Sequence, residues 1–194
     1  MSKTYFVLAS KSPRRKELLK NIGIDAEIMP ANVDEDAYKD LPPEKMVTEL
    51  AMIKANNVAR HFRGNTVVIG ADTCVCLNGE VFGKPIDEND ARRMLRVLSG
   101  NTHEVYTGYC VVNCSDGVSV ARCEKTLVTF RTLTEEEIDT YIKTREPMDK
   151  AGAYGIQEKG SKFVEKIDGD YFNVVGLPVC ALVKLIKSEY QLDI

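Results

Sequence analysis

The 194-residue sequence predicts an α/β fold in which helices pack on a mixed sheet. In its first half, short apolar stretches rich in β-branched residues alternate with amphipathic stretches of helical period. In its second half, successive apolar stretches are separated by short turns, which indicates antiparallel hairpins. No internal repeat, low-complexity run or long linker interrupts this pattern, so we expect residues 1–194 to form a single domain.

Local signals justify each element. Ser12-Pro13 is typical of a helix start, Asn78-Gly79 and Asp168-Gly169 of hairpin turns, and Thr134 with Glu137 of a capping box. In chain order, the expected elements are a strand at 4–10, a helix at 13–21, a strand at 26–29, a helix at 42–60, a strand at 67–77, a helix at 88–98, strands within 102–130, a helix at 134–143, a hairpin at 160–176 and a helix at 178–189.

Composition excludes several classes of protein. A net charge of −3 argues against binding of nucleic acid through overall positive charge, so no nucleic-acid partner is expected. No stretch approaches the roughly 18 apolar residues of a membrane span, and the amino terminus has no secretory signal pattern. We therefore expect a cytoplasmic protein with no membrane partner. The six cysteines include no C-x-x-C pair, which favours reduced core thiols over a structural zinc site.

The start of the first predicted helix is unusually basic. Arg14, Arg15 and Lys16 occupy the end of the helix where acidic side chains are preferred. One interpretation is a solvated basic surface. The other is an anion site, in which helix N–H groups and guanidinium groups face a phosphate chain directly after a strand.

Two further charges interrupt apolar patterns. Lys54 lies on the apolar stripe of the second predicted helix, either as a lysine whose ammonium extends to solvent or as one aimed into a cleft. Asp72 interrupts the central strand, where a buried carboxylate must find donors or cations. Glu35 adds a carboxylate in a loop, and magnesium often links carboxylates to substrate phosphates. Together these residues indicate a nucleotide-phosphate site.

Four segments extend this interpretation to a family. From Leu8 to about Leu185 the chain resembles the Maf family of nucleoside triphosphate pyrophosphatases, through the segments LASKSPRRKELL, GADTCVCLNGEVFGKP, LSGNTHEVYTG and DKAGAYGIQEKG…GDYFNVVGLPV. The resemblance implies a fold similar to that of the inosine triphosphatases, with a bent mixed sheet and two lobes around a cleft. It also implies hydrolysis of a nucleoside triphosphate to monophosphate and pyrophosphate, a divalent metal (Mg²⁺ or Mn²⁺) and a homodimer.

The resemblance also implies roles for individual residues. Asp72 would be the catalytic proton acceptor and, with Glu35, would contact the metal. Lys54 and Lys84 would be catalytic cations. The remaining positions would bind substrate: Ser10, Arg14, Arg15, Thr73 and Gln157.

The segments around positions 99–108 and 149–157 resemble the branch acting on dTTP and UTP, with modified pyrimidine triphosphates as further candidate substrates. Gln157 offers a donor and an acceptor, which match the O4 and N3–H edge of uracil or thymine. The alternatives are a pyrophosphatase acting on ITP, XTP or 7-methyl-GTP, and a non-catalytic nucleotide-binding regulator of septum formation.

Overall fold

The computed structural model describes residues 4–190. Within that range the chain forms one mixed sheet with helices, so the predicted α/β class is confirmed. The strands are β1 (Tyr5–Leu8), β2 (Glu27–Ile28), β3 (Thr66–Leu77), β4 (Glu80–Phe82), β5 (Thr102–Asn113), β6 (Ser119–Phe130) and β7 (Val164–Asp168). The α-helices are α1 (Pro13–Asn21), α2 (Pro43–Ala59), α3 (Glu88–Leu98), α4 (Glu135–Lys143), α5 (Tyr171–Val175) and α6 (Val179–Tyr190).

The sheet combines parallel and antiparallel pairs. Its strand order is β2-β1-β3-β5-β6-β7, and β4 pairs with β3 beside this path. β1 runs parallel to both β2 and β3, whereas β4 is antiparallel to β3 and β7 is antiparallel to β6. Of the helices in the described range, none combines the length and apolar character needed to cross a membrane.

The chain divides into two compact units. The first comprises residues 1–72, 107–124 and 176–194, and the second comprises residues 73–106 and 125–175. Whether the whole chain behaves as one domain, with a cleft between two lobes, stays a prediction.

In the first unit, two glycines allow α2 to pack directly on the sheet. A Cβ atom at Gly70 would lie 2.3 Å from the carbonyl oxygen of Ala51, and one at Gly108 would lie 2.1 Å from that of Val47. Any larger residue would force the helix away, because real Cβ atoms do not approach backbone so closely. The contact places the helix against a core formed by Val7, Ala9, Ala51, Ala55, Val58, Val68, Cys110 and Val112.

In the second unit, α3 and α4 are held together by apolar and charged contacts. Leu95 and Ile138 are buried. Arg92 on α3 donates a hydrogen bond of 2.7 Å to Asp139 on α4. The capping box predicted for α4 is present: Glu137 N–H donates to Thr134 Oγ1, and the Glu137 carboxylate accepts from Thr134 N–H.

The predicted hairpin at 160–176 is wrong in its second half. β7 forms and pairs with β6, but the chain then turns at Gly169 and forms the short helix α5. Asp170 Oδ1 accepts from Phe172 N–H at 2.8 Å, which starts the helix. The Asn173 amide is buried and donates to Val105 O and Thr126 Oγ1, both at 3.0 Å. These contacts outweigh the apolar pattern that suggested a strand.

All six cysteines are free thiols, but only three lie in the core as predicted, since Cys114 and Cys123 are partly buried and Cys180 is exposed. Cys74, Cys76 and Cys110 are buried. Cys180 is exposed, so the expectation of a core thiol is wrong there. It lies beside Val179, outside the stripe of buried residues with which α6 faces the core.

Candidate active site

The site in the first unit begins where β1 ends and α1 starts. Ser12 caps α1, and its hydroxyl accepts a hydrogen bond from Arg15 N–H at 3.4 Å. Ser10 is buried; its Oγ accepts from Ser12 N–H at 3.2 Å and from Arg15 Nη1 at 3.1 Å. No acidic residue occupies the first turn of α1. The helix therefore presents its N-terminal dipole and its cations without a neutralising carboxylate of its own.

Arg15 has a structural role that sequence reasoning missed. Its Nε donates to Gly176 O at 2.7 Å and its Nη1 to Ala71 O at 2.9 Å. Burial lowers the pKa of the guanidinium, and the negative charge of Asp72 opposes that shift. Arg15 thus ties α1 to β3 and to the segment before α6. Backbone carbonyl acceptors have no residue signature, so no signal in the sequence could reveal these contacts.

The other two cations differ in exposure. Arg14 is half-buried and adds to the positive charge that Arg15 experiences. Lys16 is exposed, as expected of the residue that faces solvent. The anion-site interpretation therefore depends on Arg14 and Arg15.

Lys54 lies between two carboxylates. Its Nζ is 2.7 Å from Asp72 Oδ1 and 2.7 Å from Glu35 Oε1. The side chains of Lys54 and Asp72 are only 12% and 15% exposed, whereas that of Glu35 is 59% exposed. Lys54 is thus not a lysine whose ammonium extends to solvent, because the ammonium is enclosed and paired. α2 brings it there because Gly70 lets the helix sit close to β3.

The two carboxylates could serve a divalent cation. Both oxygens lie within 2.7 Å of one ammonium, so they are within twice that distance of each other. Across residues 4–190 no cluster of three or more His, Cys, Asp and Glu side chains is suited to a metal. A two-carboxylate site still fits Mg²⁺, which keeps several waters and is completed by substrate phosphates. Asp72 and Glu35 are thus the residues that could hold a metal.

β3 is buried along its length except at one place. Only Asp72 and Thr73 are partly exposed among its 12 residues. An opening in a central strand at a carboxylate and a hydroxyl is unusual, since such strands are apolar on both faces. It marks Asp72 and Thr73 as accessible from solvent.

The structure brings part of the expected set together. Five of these residues are linked by contacts within the first unit: Ser10, Arg15, Glu35, Lys54 and Asp72. Thr73, Lys84 and Gln157 belong to the second unit. Lys84 is exposed after β4, and Gln157 is exposed directly after the buried Ile156. Sequence reasoning also missed Glu146, whose carboxylate contacts the segment around Gln157.

A family model and several relatives match this chain, and these relatives share one name. The family model described as Maf-like protein matches residues 5–189. A dTTP/UTP pyrophosphatase of Alkaliphilus metalliredigens is 47% identical, with 97% of each chain covered. A dTTP/UTP pyrophosphatase of Bacillus mycoides is 50% identical, with 94% of each covered.

A solved structure of a nucleoside-triphosphatase described as a dITP/XTP pyrophosphatase, from Mycobacterium abscessus, is more distant. It is 13% identical with a TM-score of 0.40, over 66% of this chain and 73% of that one. The fold class rests instead on the strand order described above. Because the family model covers nearly the whole sequence and the relatives are close to half identical to it, this chain belongs to the Maf family.

Proposed function

We propose that this protein is a nucleoside triphosphate pyrophosphatase that hydrolyses dTTP and UTP to the monophosphate and pyrophosphate, an activity that cleans the nucleotide pool. The observation that best supports it is the pairing of Lys54 with Asp72 and Glu35 in a chain whose relatives have that name. A pyrophosphatase needs both a carboxylate to activate water and cations to stabilise phosphate charge. A protein that only binds nucleotides does not need the first.

In the proposed mechanism, Asp72 accepts a proton from the water that attacks the α-phosphorus. Lys54 lies 2.7 Å from this carboxylate and fixes its orientation. Charge develops on the leaving pyrophosphate, and Lys54 and Lys84 stabilise it. Asp72 and Glu35 would hold a divalent metal, Mg²⁺ or Mn²⁺, which when bound would neutralise phosphate charge.

The substrate's phosphates occupy the start of α1. There the helix N–H groups, Ser10, Arg14 and Arg15 provide donors and positive charge. This assignment explains why cations stand at the end of a helix that ordinarily favours acids. Arg15 also holds Ala71 O, the carbonyl directly before Asp72, so phosphate binding and the position of the base are linked through one side chain.

Base selection is assigned to Thr73 and Gln157. The Gln157 amide can accept from N3–H and donate to O4 of uracil or thymine. Cytosine reverses that pattern, and a site built on such bonds disfavours a base that leaves its groups unpaired.

The test of the function is a substrate panel with identified products. We expect the highest kcat/KM with dTTP and UTP, and monophosphate plus pyrophosphate as products. Orthophosphate and diphosphate would refute attack at the α-phosphorus. Highest efficiency with ITP, XTP or 7-methyl-GTP would identify a purine enzyme, and tight binding without turnover would identify a regulator.

Removal of metal tests the cofactor. Chelation should abolish turnover, and Mg²⁺ or Mn²⁺ should restore it. Glu35→Gln should raise the Mg²⁺ concentration needed for half-maximal activity, because one of two candidate ligands is neutralised. An unchanged metal requirement in this variant would remove Glu35 from the metal site.

We further propose a cytoplasmic homodimer that acts on free nucleotides and not on nucleic acid. The family resemblance supports the dimer, and the net charge of −3 supports the absence of a nucleic-acid partner. Light scattering at several protein concentrations tests the dimer directly.

A further inference from the structure

Glu146 has no role in the mechanism above, yet its carboxylate contacts the segment that contains Gln157. We call residues 155–160, Gly155 to Gly160, the glutamine segment. We propose that Glu146 and Tyr141 position the glutamine segment and thereby determine how well the enzyme selects pyrimidine bases, an inference that rests on the function proposed for Gln157.

The carboxylate holds the carboxyl end of the segment directly. Glu146 Oε1 accepts from Gly160 N–H at 3.0 Å, and Oε2 accepts from Lys159 N–H at 3.1 Å. Hydrogen bonds from backbone amides to an ionised acceptor are stronger than neutral ones. The carboxylate therefore fixes the backbone two residues after Gln157.

Tyr141 links Glu146 to the amino end of the glutamine segment. Its hydroxyl donates to Glu146 Oε1 at 2.8 Å and accepts from Gly155 N–H at 3.0 Å. The ring is fully buried, and it packs edge-on against Phe163 with centroids 4.9 Å apart. Burial and the contact with Glu146 raise the pKa of this phenol, so it remains a donor over the working pH range.

The two ends of the segment are also packed against each other. A Cβ at Gly160 would lie 2.7 Å from both Gly155 O and the Tyr141 hydroxyl. Only glycine fits there, and the segment closes into a short loop. Gln157 is exposed within that loop.

Lys150 completes the support of Glu146. It is buried, and its ammonium donates to Glu146 O at 2.9 Å and to Asp149 Oδ1 at 2.8 Å. Its stem lies within 2.6 Å of where a Cβ at Gly155 would stand. Lys150 thus fixes the backbone of Glu146, in addition to the contacts that its carboxylate makes.

These contacts matter for selectivity because matching a base edge requires both a donor and an acceptor in place. Small displacements of such a group reduce its effect sharply. A displaced Gln157 would lose the distinction between uracil and cytosine first, since the phosphate contacts belong to other residues. Glu146 and Tyr141 are therefore positioning residues, not catalytic ones.

The experiment compares Glu146→Gln and Tyr141→Phe with Glu136→Gln, which removes the same charge from an exposed position of α4. The readout is the ratio of kcat/KM for UTP to that for CTP, which differ only at the base edge that Gln157 is proposed to contact. We expect the ratio to fall about tenfold in the first two variants, with kcat for dTTP at saturation changed by less than about threefold. The control variant should match the wild type.

A double-mutant cycle with Gln157→Ala tests whether Glu146 affects base selectivity through Gln157. If Glu146 acts through Gln157, adding Glu146→Gln to Gln157→Ala should not lower the ratio further. Melting curves identify any variant that fails to fold, and Tyr141→Phe, which keeps the ring, provides the second test.

Three results would overturn the inference: folded variants with an unchanged ratio, equal losses on both nucleotides through kcat, or additive effects in the cycle. A wild-type enzyme without preference for UTP over CTP would instead refute the base assignment of Gln157, and the inference with it.

Discussion

Asp72 is a single carboxylate on which the proposed chemistry depends. Asn at this position keeps the shape of the side chain, and Lys54 keeps its pairing with Glu35. We expect Asp72→Asn to lower kcat about 10²- to 10⁴-fold, the usual effect of losing a general base, with a melting temperature close to that of the wild type. Asp25→Asn, at an exposed position, is the matched control. Normal turnover by folded Asp72→Asn would remove the residue from its role.

The two arginines of α1 should differ, although the sequence presents them as equals. Arg15→Ala removes bonds to Gly176 O, Ala71 O and Ser10 Oγ. Leaving partly buried acceptors unpaired costs about 1–3 kcal/mol, so this variant should melt at a lower temperature as well as bind substrate weakly. Arg14→Ala should raise KM and lower the melting temperature less than Arg15→Ala does, because it relieves repulsion with the helix dipole. Equal melting temperatures for the two variants would contradict the structural role of Arg15.

At the scale of single residues, the sequence predicts which side chains belong to the candidate site better than it predicts which of them contact each other. Asp72 and Lys54 are conspicuous because each is a charge within an apolar pattern. Their contact spans 18 positions of the chain and depends on how closely α2 approaches the sheet, which no local pattern reveals. Glu146 lacks even the first signal, because it follows a polar helix end and looks like an ordinary surface acid.

At the scale of elements, the close packing of α2 on the sheet depends on Gly70. Gly70→Ala should destabilise the protein by about 1–3 kcal/mol, because the added methyl group overlaps the backbone of α2. Displacement of the helix should also move Lys54 away from Asp72 and lower kcat. Thermal unfolding and turnover measure the two effects. Gly83→Ala is the stability control, since a Cβ there meets nothing within 4 Å. A fully stable, fully active Gly70→Ala variant would contradict this account.

Elements with local start signals were predicted accurately. The helix bounds at Pro13–Asn21 and Glu88–Leu98 agree with the structure, because Ser12 and Asp87 cap them with their own side chains. The end of the chain's last hairpin was mispredicted because a distant contact, the burial of Asn173 against Val105 and Thr126, decides its conformation.

For the whole molecule, His103 predicts how stability changes with pH. It is fully buried beside Tyr154, and burial lowers its pKa from 6.5 to about 4. The native state thus favours the neutral ring. The contribution of neutral His103 to the free energy of unfolding is complete above pH 6.5 and is lost as pH falls toward 4.

We therefore expect the free energy of unfolding to fall by about 2 kcal/mol between pH 6.5 and 4.5. Glu137, whose pKa Arg131 lowers from 4.5 to about 2, affects stability mainly below that window. Denaturant unfolding of the wild type and of His103→Gln across this range is the measurement. The variant should show a flatter profile, and identical slopes would show that another group is responsible.

The close approach of α2 to Gly70 and Gly108 has a consequence for genetic screens. In a saturation-mutagenesis survey scored by enzyme activity, both positions should tolerate almost no amino-acid replacement, although neither glycine has a side chain that could touch a nucleotide. Residues proposed to contact substrate, such as the exposed Lys84, should accept partial replacements more readily. A map of intolerant positions for this enzyme would therefore include the glycines on which α2 packs as well as the residues of the proposed active site.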